Sequence, residues 1–212
     1  GNSVNLEDGT ELGYEKLLIA TGALPTLPSI KGLDREKVFT LWTLDDARNV
    51  ISAAKGIKEV AIIGAGLIGV QSSHALANRE VNFTVIDIAD QILPSILDAE
   101  GAQMVQSMVE SDRVKITTGA NITEIAKGKK GHTHSIKLKG KKDVPADLVI
   151  IGTGAAPNTS FLKEDGIATD AGILVDNRME TSVPGVYAAG DTAQGHDVLS
   201  GDQVVRGIWT TA

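Results

Sequence analysis

Four short apolar runs in this chain each end in glycine, and that pattern constrains the fold more than any other feature. Residues 17–20 lead into Thr21-Gly22, residues 60–63 into Gly64-Ala65-Gly66, residues 148–151 into Gly152-Thr153-Gly154, and residues 186–189 into Gly190-Asp191. Unbroken apolar runs of four residues suit strands buried on both faces, as in parallel α/β sheets. Glycine at the carboxyl end of such a strand lets the backbone turn sharply and come close to a ligand. Glycine makes up 23 of the 212 residues, about 11% against a usual ~7%, and its placement at strand ends argues against a low-complexity or flexible segment.

Two stretches read as helices. Residues 67–77 carry small and apolar side chains at helical spacing. Leu97, Met104, Val105, Met108 and Val109 fall on one helical stripe, with the methionines expected as core filler. Residues 81–87 and 114–117 read as further strands. Residues 122–125 and 135–138, split by Lys127-Gly128-Lys129-Lys130-Gly131, read as an antiparallel hairpin. Residues 23–56, with Pro25, Pro28 and Gly32, read as a connector between two domains, with a second crossing near Ala155-Ala156-Pro157-Asn158.

Gly64-Ala65-Gly66-Leu67-Ile68-Gly69 matches G-x-G-x-x-G. The pattern alone is weak. Here a strand precedes it, a helix follows, and a second strand ends in Asp87, which together make the βαβ dinucleotide-binding signature. Gly64 permits the turn, Gly66 lets a pyrophosphate reach the backbone, and Gly69 lets helix and strand pack closely. The helix start favours phosphate charge. Asp87 can accept bonds from the adenosine ribose hydroxyls and would repel a 2′-phosphate, and Ile88-Ala89 beside it offers no arginine. NAD(H) is therefore expected over NADP(H). The other glycine junctions suggest a second nucleotide site or half of one. On the residues alone, Asp191 is equally a ligand for ribityl or ribose hydroxyls and a helix N-cap.

Composition excludes several function classes. With no cysteine, the chain holds no disulfide, thiolate metal site or redox dithiol of its own. A net charge of −7 and 3% aromatic residues argue against a nucleic-acid binder. The lysines at 127, 129, 130, 137, 139, 141 and 142 read as a solvated hairpin. His132 and His134 could share a strand face, but no metal site is expected there. His74 reads as packed or exposed, and Pro94 and Pro184 as punctuation. No apolar run is long enough to span a membrane. With no signal-peptide pattern, the chain is expected in the cytoplasm.

Four motifs in order make the chain resemble the FAD-dependent pyridine nucleotide-disulfide oxidoreductase superfamily, closest to its NADH oxidase, nitrite reductase and rubredoxin reductase-like branch. They are residues 14–22, residues 64–69 with Asp87, residues 146–152 and residues 185–191. The resemblance implies a Rossmann-like three-layer α/β domain with a parallel sheet plus an antiparallel hairpin, flanked by partial FAD-domain segments. It places the end of a first FAD segment and a connector at 1–54, an NAD(H) domain at 55–156 and a second FAD segment at 157–212. Thr21, Gly22, Gly190 and Asp191 would then serve FAD. Gly152 and Gly154 would line the nicotinamide side, with Gln71, where the family usually has glutamate, facing it. The whole protein would be a homodimeric enzyme passing hydride from NADH to FAD and on to an acceptor the sequence does not name. The cofactors do the chemistry, so no catalytic side chain is assigned. No strand with its own fingerprint precedes Tyr14, and the chain ends at Ile208-Trp209-Thr210-Thr211-Ala212, where Trp209 is a candidate neighbour of the flavin. The chain is thus expected to be an internal fragment that is colourless when isolated. The alternative is a free-standing NAD-binding or sensor module without catalysis.

Overall fold

The computed structural model describes residues 2–76, 81–162 and 166–205. Trp209 and the side chain of His74 lie outside the described parts. Contacts divide the chain into a continuous unit, Pro25–Gly154, and a discontinuous one made of Gly1–Leu24 and Ala155–Ala212.

The continuous unit runs β1 (Val38–Thr40), α1 (Leu44–Ala53), β2 (Glu59–Ile63), α2 (Leu67–Leu76), β3 (Asn82–Ile86), α3 (Ala99–Val109), β4 (Val114–Thr117), β5 (Ile122–Lys127), β6 (His134–Leu138), β7 (Val144–Ala146) and β8 (Leu148–Ile151). The sheet order is β1-β8-β2-β3-β4, and every pairing is parallel. β5, β6 and β7 form an antiparallel meander, so the expected hairpin is present and gains a third strand.

The period-2 geometry of strands explains the unbroken apolar runs. Val60, Ile62, Val85, Leu148 and Ile150 enter one buried cluster, against which Leu67, Leu97, Val105 and Val109 pack. Ala61, Ile63, Ile86, Val149 and Ile151 enter another, with Ile125, Ile136, Leu138 and Ala146 of the meander. The runs 60–63 and 148–151 therefore need apolar residues at every position, and the result is three layers: helices, parallel sheet and meander. Each buried valine or isoleucine contributes about 1.5–3 kcal/mol.

Two expectations need correction. From Pro25 onward, the stretch expected to be a connector belongs to the continuous unit: β1 pairs with β8, Lys31 bridges to Glu124, and Arg35 Nε donates to the Ile125 carbonyl at 2.6 Å. Its strand is only three residues long, too short for its alternation to be visible. Met104 and Met108 are not core filler, since they are 65% and 81% exposed. The helix begins at Asp98, whose side chain caps Gly101 N–H. Packing against the sheet takes Ala102, Val105 and Val109 inward and leaves each methionine about 100° from its valine neighbour, in solvent.

The discontinuous unit is built on Leu17–Ile19 paired in parallel with Val186–Ala188. Ile19, Val186 and Ala188 pack with Leu162, Ile173, Val175 and Ala193. The four glycine-ended runs thus form two parallel pairs, one in each unit.

At the carboxyl ends of β2 and β8 the backbones touch. Gly64 has φ +108°, and a Cβ there would stand 2.3 Å from the Gly152 carbonyl oxygen. A Cβ on Gly69 would stand 1.9 Å from the Gly64 oxygen. Gly64→Ala should therefore cost about 1–3 kcal/mol for overpacking, with backbone strain added. Urea denaturation should show a lowered midpoint, and a midpoint equal to the wild type's would contradict this packing.

His134 on β6 is 2% exposed and neither ring nitrogen has a hydrogen-bond partner. Burial pushes its pKa below the ordinary histidine value. Arg35 and Lys37 act in the same sense, while the Glu36 carbonyl and Asp147 oppose them. The unfolded chain binds this proton near pH ~6.5, whereas the folded chain binds it only at lower pH. The stability held by the neutral ring is full above that value and is lost as pH falls toward the folded-state pKa. The drop in Tm between about pH 7.5 and about pH 5.5 should be larger for the wild type than for His134→Leu. Equal drops would contradict a buried, neutral His134.

Candidate functional site

Three strand ends are laced together where the glycine turn sits. Gly64 N–H donates to the Ile86 carbonyl at 2.8 Å, and Gly152 N–H donates to the Ile63 carbonyl at 2.7 Å. Asp87, one residue past β3, accepts Ala65 N–H on Oδ2 at 2.5 Å and Ala89 N–H on Oδ1 at 2.8 Å. Leu93 N–H closes the far side of the turn on the Ala65 carbonyl at 2.9 Å. Each carboxylate oxygen keeps acceptor capacity beyond these bonds.

Gly64, Ala65 and Gly69 are buried, whereas Gly66, Leu67 and Ile68 are half-buried. A Cβ on Gly66 would meet nothing within 4 Å, so that backbone faces open space. It stands at the N-terminus of α2, whose first N–H groups have no partner within the helix and carry the positive end of its dipole. Gln71 lies further along α2 and is exposed. Gly152 abuts the Gly64 turn, and Gly154 follows it with φ +99°. The sheet order reverses between β2 and β8, because β3 lies on one side of β2 and β8 on the other. Ligands of open α/β sheets bind at that kind of crevice.

A pocket of about 260 Å³ opens beside the turn, lined by residues 28–30, Ile63, Gly64, residues 86–88, residues 120–122 and Thr153. Asp87 is the charged side chain among these residues. Of these residues the sequence marks Gly64, Asp87 and its neighbour Ile88, and not the others. A signal for residues 120–122 was available: β4 also runs into a glycine, Gly119, whose N–H donates to the Ala89 carbonyl at 2.7 Å. Residues 28–30 were hidden by their reading as connector.

In the discontinuous unit, Thr21, Gly22, Gly190 and Asp191 gather at the carboxyl ends of its parallel pair. Ala189 N–H donates to the Ile19 carbonyl at 3.0 Å and Asn158 N–H to the Gly22 carbonyl at 2.9 Å. Thr21 Oγ1 donates to the Asn158 carbonyl at 2.9 Å and lies 3.3 Å from the hydroxyl of buried Thr192. Gly22 and Gly190 have φ +67° and +75°, as the sharp turns require. Asp191 sits inside the 3-10 turn Gly190–Thr192, whose N-cap is Ala189. The N-cap reading of Asp191 therefore fails. Among the described residues its half-buried carboxylate accepts no hydrogen bond.

Comparison with known proteins adds the family. The model of the pyridine nucleotide-disulphide oxidoreductase family matches residues 1–211. The epsilon subunit of the NADH-dependent phenylglyoxylate dehydrogenase of Aromatoleum evansii is 33% identical over 207 residues, covering 98% of this chain and 48% of the relative. A ferredoxin reductase from Rhodopseudomonas palustris superposes with a TM-score of 0.91 at 27% identity, covering 98% of this chain and 51% of that one. The water-forming NADH oxidase of Lactobacillus brevis, solved with NADH bound, gives a TM-score of 0.86 at 27% identity over 94% of this chain and 44% of its own. An engineered NADPH oxidase made from that enzyme, solved with NADPH, matches at a TM-score of 0.86 and 26% identity, over 94% of this chain and 44% of that one. Its changes include an aspartate to alanine 18 residues after a glycine to alanine, with an alanine to arginine immediately following the aspartate. The chain spans about half the length of the curated relative and of the ferredoxin reductase. With its parallel-sheet fold, its ordered glycine motifs and a family match along nearly its whole length, the chain belongs to the pyridine nucleotide-disulphide oxidoreductase family.

Proposed function

We propose that the unit Pro25–Gly154 binds NAD(H), and that the parallel pair of the other unit supplies part of an FAD site. The chain would then be the NADH-binding portion of a flavin-dependent oxidoreductase. The observation that carries this reading is the meeting, at one sheet edge, of the open Gly66 backbone, the N-terminus of α2 and the Asp87 carboxylate. That set matches the two polar parts of a dinucleotide. The helix start and the bare glycine suit a pyrophosphate, and the carboxylate suits ribose hydroxyls. The adjoining pocket, apolar apart from Asp87 and a few small polar groups, suits the adenosine half. At Gly154 a Cβ would meet nothing within 4 Å, and that open backbone suits the approach of the nicotinamide half. The unengaged acceptor oxygens of Asp191 suit hydroxyl donors of a flavin's ribityl chain.

Bound together, NADH and FAD would supply hydride transfer. The chain's own residues bind and orient, and each works through backbone groups or a fixed carboxylate. Thr21 and Thr192 tie together the loops that follow the parallel strands, beside Asp191.

Preference for NADH rests on Asp87. A 2′-phosphate would sit against its charge, and Ile88 and Ala89 offer no counter-charge. Asp87 follows Gly69 by 18 residues, the same spacing as the aspartate and glycine changed in the engineered NADPH oxidase. There the position after the aspartate became arginine, and here it is Ile88. NADPH should bind at least about tenfold more weakly than NADH, the worth of ~1.4 kcal/mol. Asp87→Arg should narrow the gap. Isothermal titration giving equal affinities, or a preference for NADPH, would overturn the assignment.

A further inference from the structure

One wall of the pocket beside Asp87 has no secondary structure of its own. Residues 28–30 form it, between the start of the unit at Pro25 and the bridge of Lys31 to Glu124. This wall is hung from two anchors. At one end Ile125 N–H donates to the Lys31 carbonyl at 2.8 Å, and Ile30 packs against the meander-side cluster. At the other end both backbone groups of Thr26 are taken. Its N–H donates to the Gly154 carbonyl at 2.9 Å, and its carbonyl accepts from Thr153 Oγ1 at 2.6 Å. Thr153 follows Gly152 in the loop after β8, and it lines the pocket itself.

Resting on the nucleotide-binding reading above, we propose that Thr153 is a positioning residue for the adenosine half of the dinucleotide. Its hydroxyl clasps the incoming segment at Thr26 and so holds residues 28–30 as the pocket's third wall. The clasp also ties that wall to the Gly152–Gly154 turn, which itself abuts Gly64. The pocket would then close only when the segment entering the unit and the loop leaving it are joined. This gives the segment before β1 a binding role, and it makes a hydroxyl-bearing side chain at position 153 a determinant of affinity. The bond is exposed, so its worth is modest and lies in order: without it, residues 26–30 must be fixed by the ligand at each binding event.

Thr153→Val keeps the shape and removes the donor, whereas Thr153→Ser keeps the donor and removes a methyl group. NADH and AMP are titrated into each chain, with amide exchange at Thr26 and Ile30 followed without ligand. The valine variant should bind NADH and AMP about three- to tenfold more weakly, by the same factor for both. Serine should restore affinity to within about twofold. Exchange at Thr26 and Ile30 should quicken in the valine variant alone. Unchanged NADH affinity in the valine variant, equal losses with valine and serine, or a loss for NADH without one for AMP would each overturn the clasp. Failure of the wild-type chain to bind either NADH or AMP would instead overturn the nucleotide reading on which it rests.

Discussion

At the carboxyl edge of the parallel sheet, two carbonyl oxygens occupy the places where two side chains would begin. The Gly152 oxygen stands where a Cβ on Gly64 would go, and the Gly64 oxygen where a Cβ on Gly69 would go. This close approach sets the rest. It lets β8 end against the turn after β2, it lets α2 start directly over that turn, and it leaves the Gly66 backbone facing outward. Asp87 then secures the turn from the β3 side, by accepting Ala65 N–H and Ala89 N–H on its two oxygens. The carboxylate proposed to read the ribose also holds the glycine turn in shape, so the proposed recognition and the local order depend on one group.

The layers on either side explain why that edge can be so tightly built. β2, β3 and β8 bury alternate side chains against the helices and against the meander, and both faces of the sheet are fixed by packing. With the strands immobile, a contact as close as that of Gly64 on Gly152 can be held without spending ligand-binding energy on order. The discontinuous unit repeats the scheme on a smaller scale. Its strands Leu17–Ile19 and Val186–Ala188 end in Gly22 and Gly190, and a threonine pair and the Asn158 backbone tie those ends together.

Much of this was legible in the sequence, for identifiable reasons. Unbroken apolar runs followed by glycine marked the long buried strands, because two-sided burial leaves no polar position to confuse the pattern. The fingerprint and Asp87 were legible because their spacing is set by a strand, a turn and a helix of fixed geometry. Elements held by tertiary contacts were not legible. β1 is three residues long, and its place in the sheet is fixed by β8, more than a hundred positions later. The wall at residues 28–30 is coil whose position depends on Thr153 and Ile125. The outward turn of Met104 and Met108 was not legible, because five apolar residues span more than the buried face and only packing selects Val105 and Val109 with Ala102. The role of Asp191 was undecidable from residue type, since a carboxylate after a strand serves a cap and a hydroxyl ligand equally well. The backbone removes the cap reading by making Ala189 the cap.

Backbone amide chemical shifts followed during an NADH titration would test nucleotide binding at this edge most directly. The signals of Gly64, Gly66, Gly69, Asp87, Gly152 and Gly154 should move together and saturate with one affinity. Shifts confined to the opposite end of the sheet, around Asn82, Arg113 and Lys142, or no shifts at all, would contradict it.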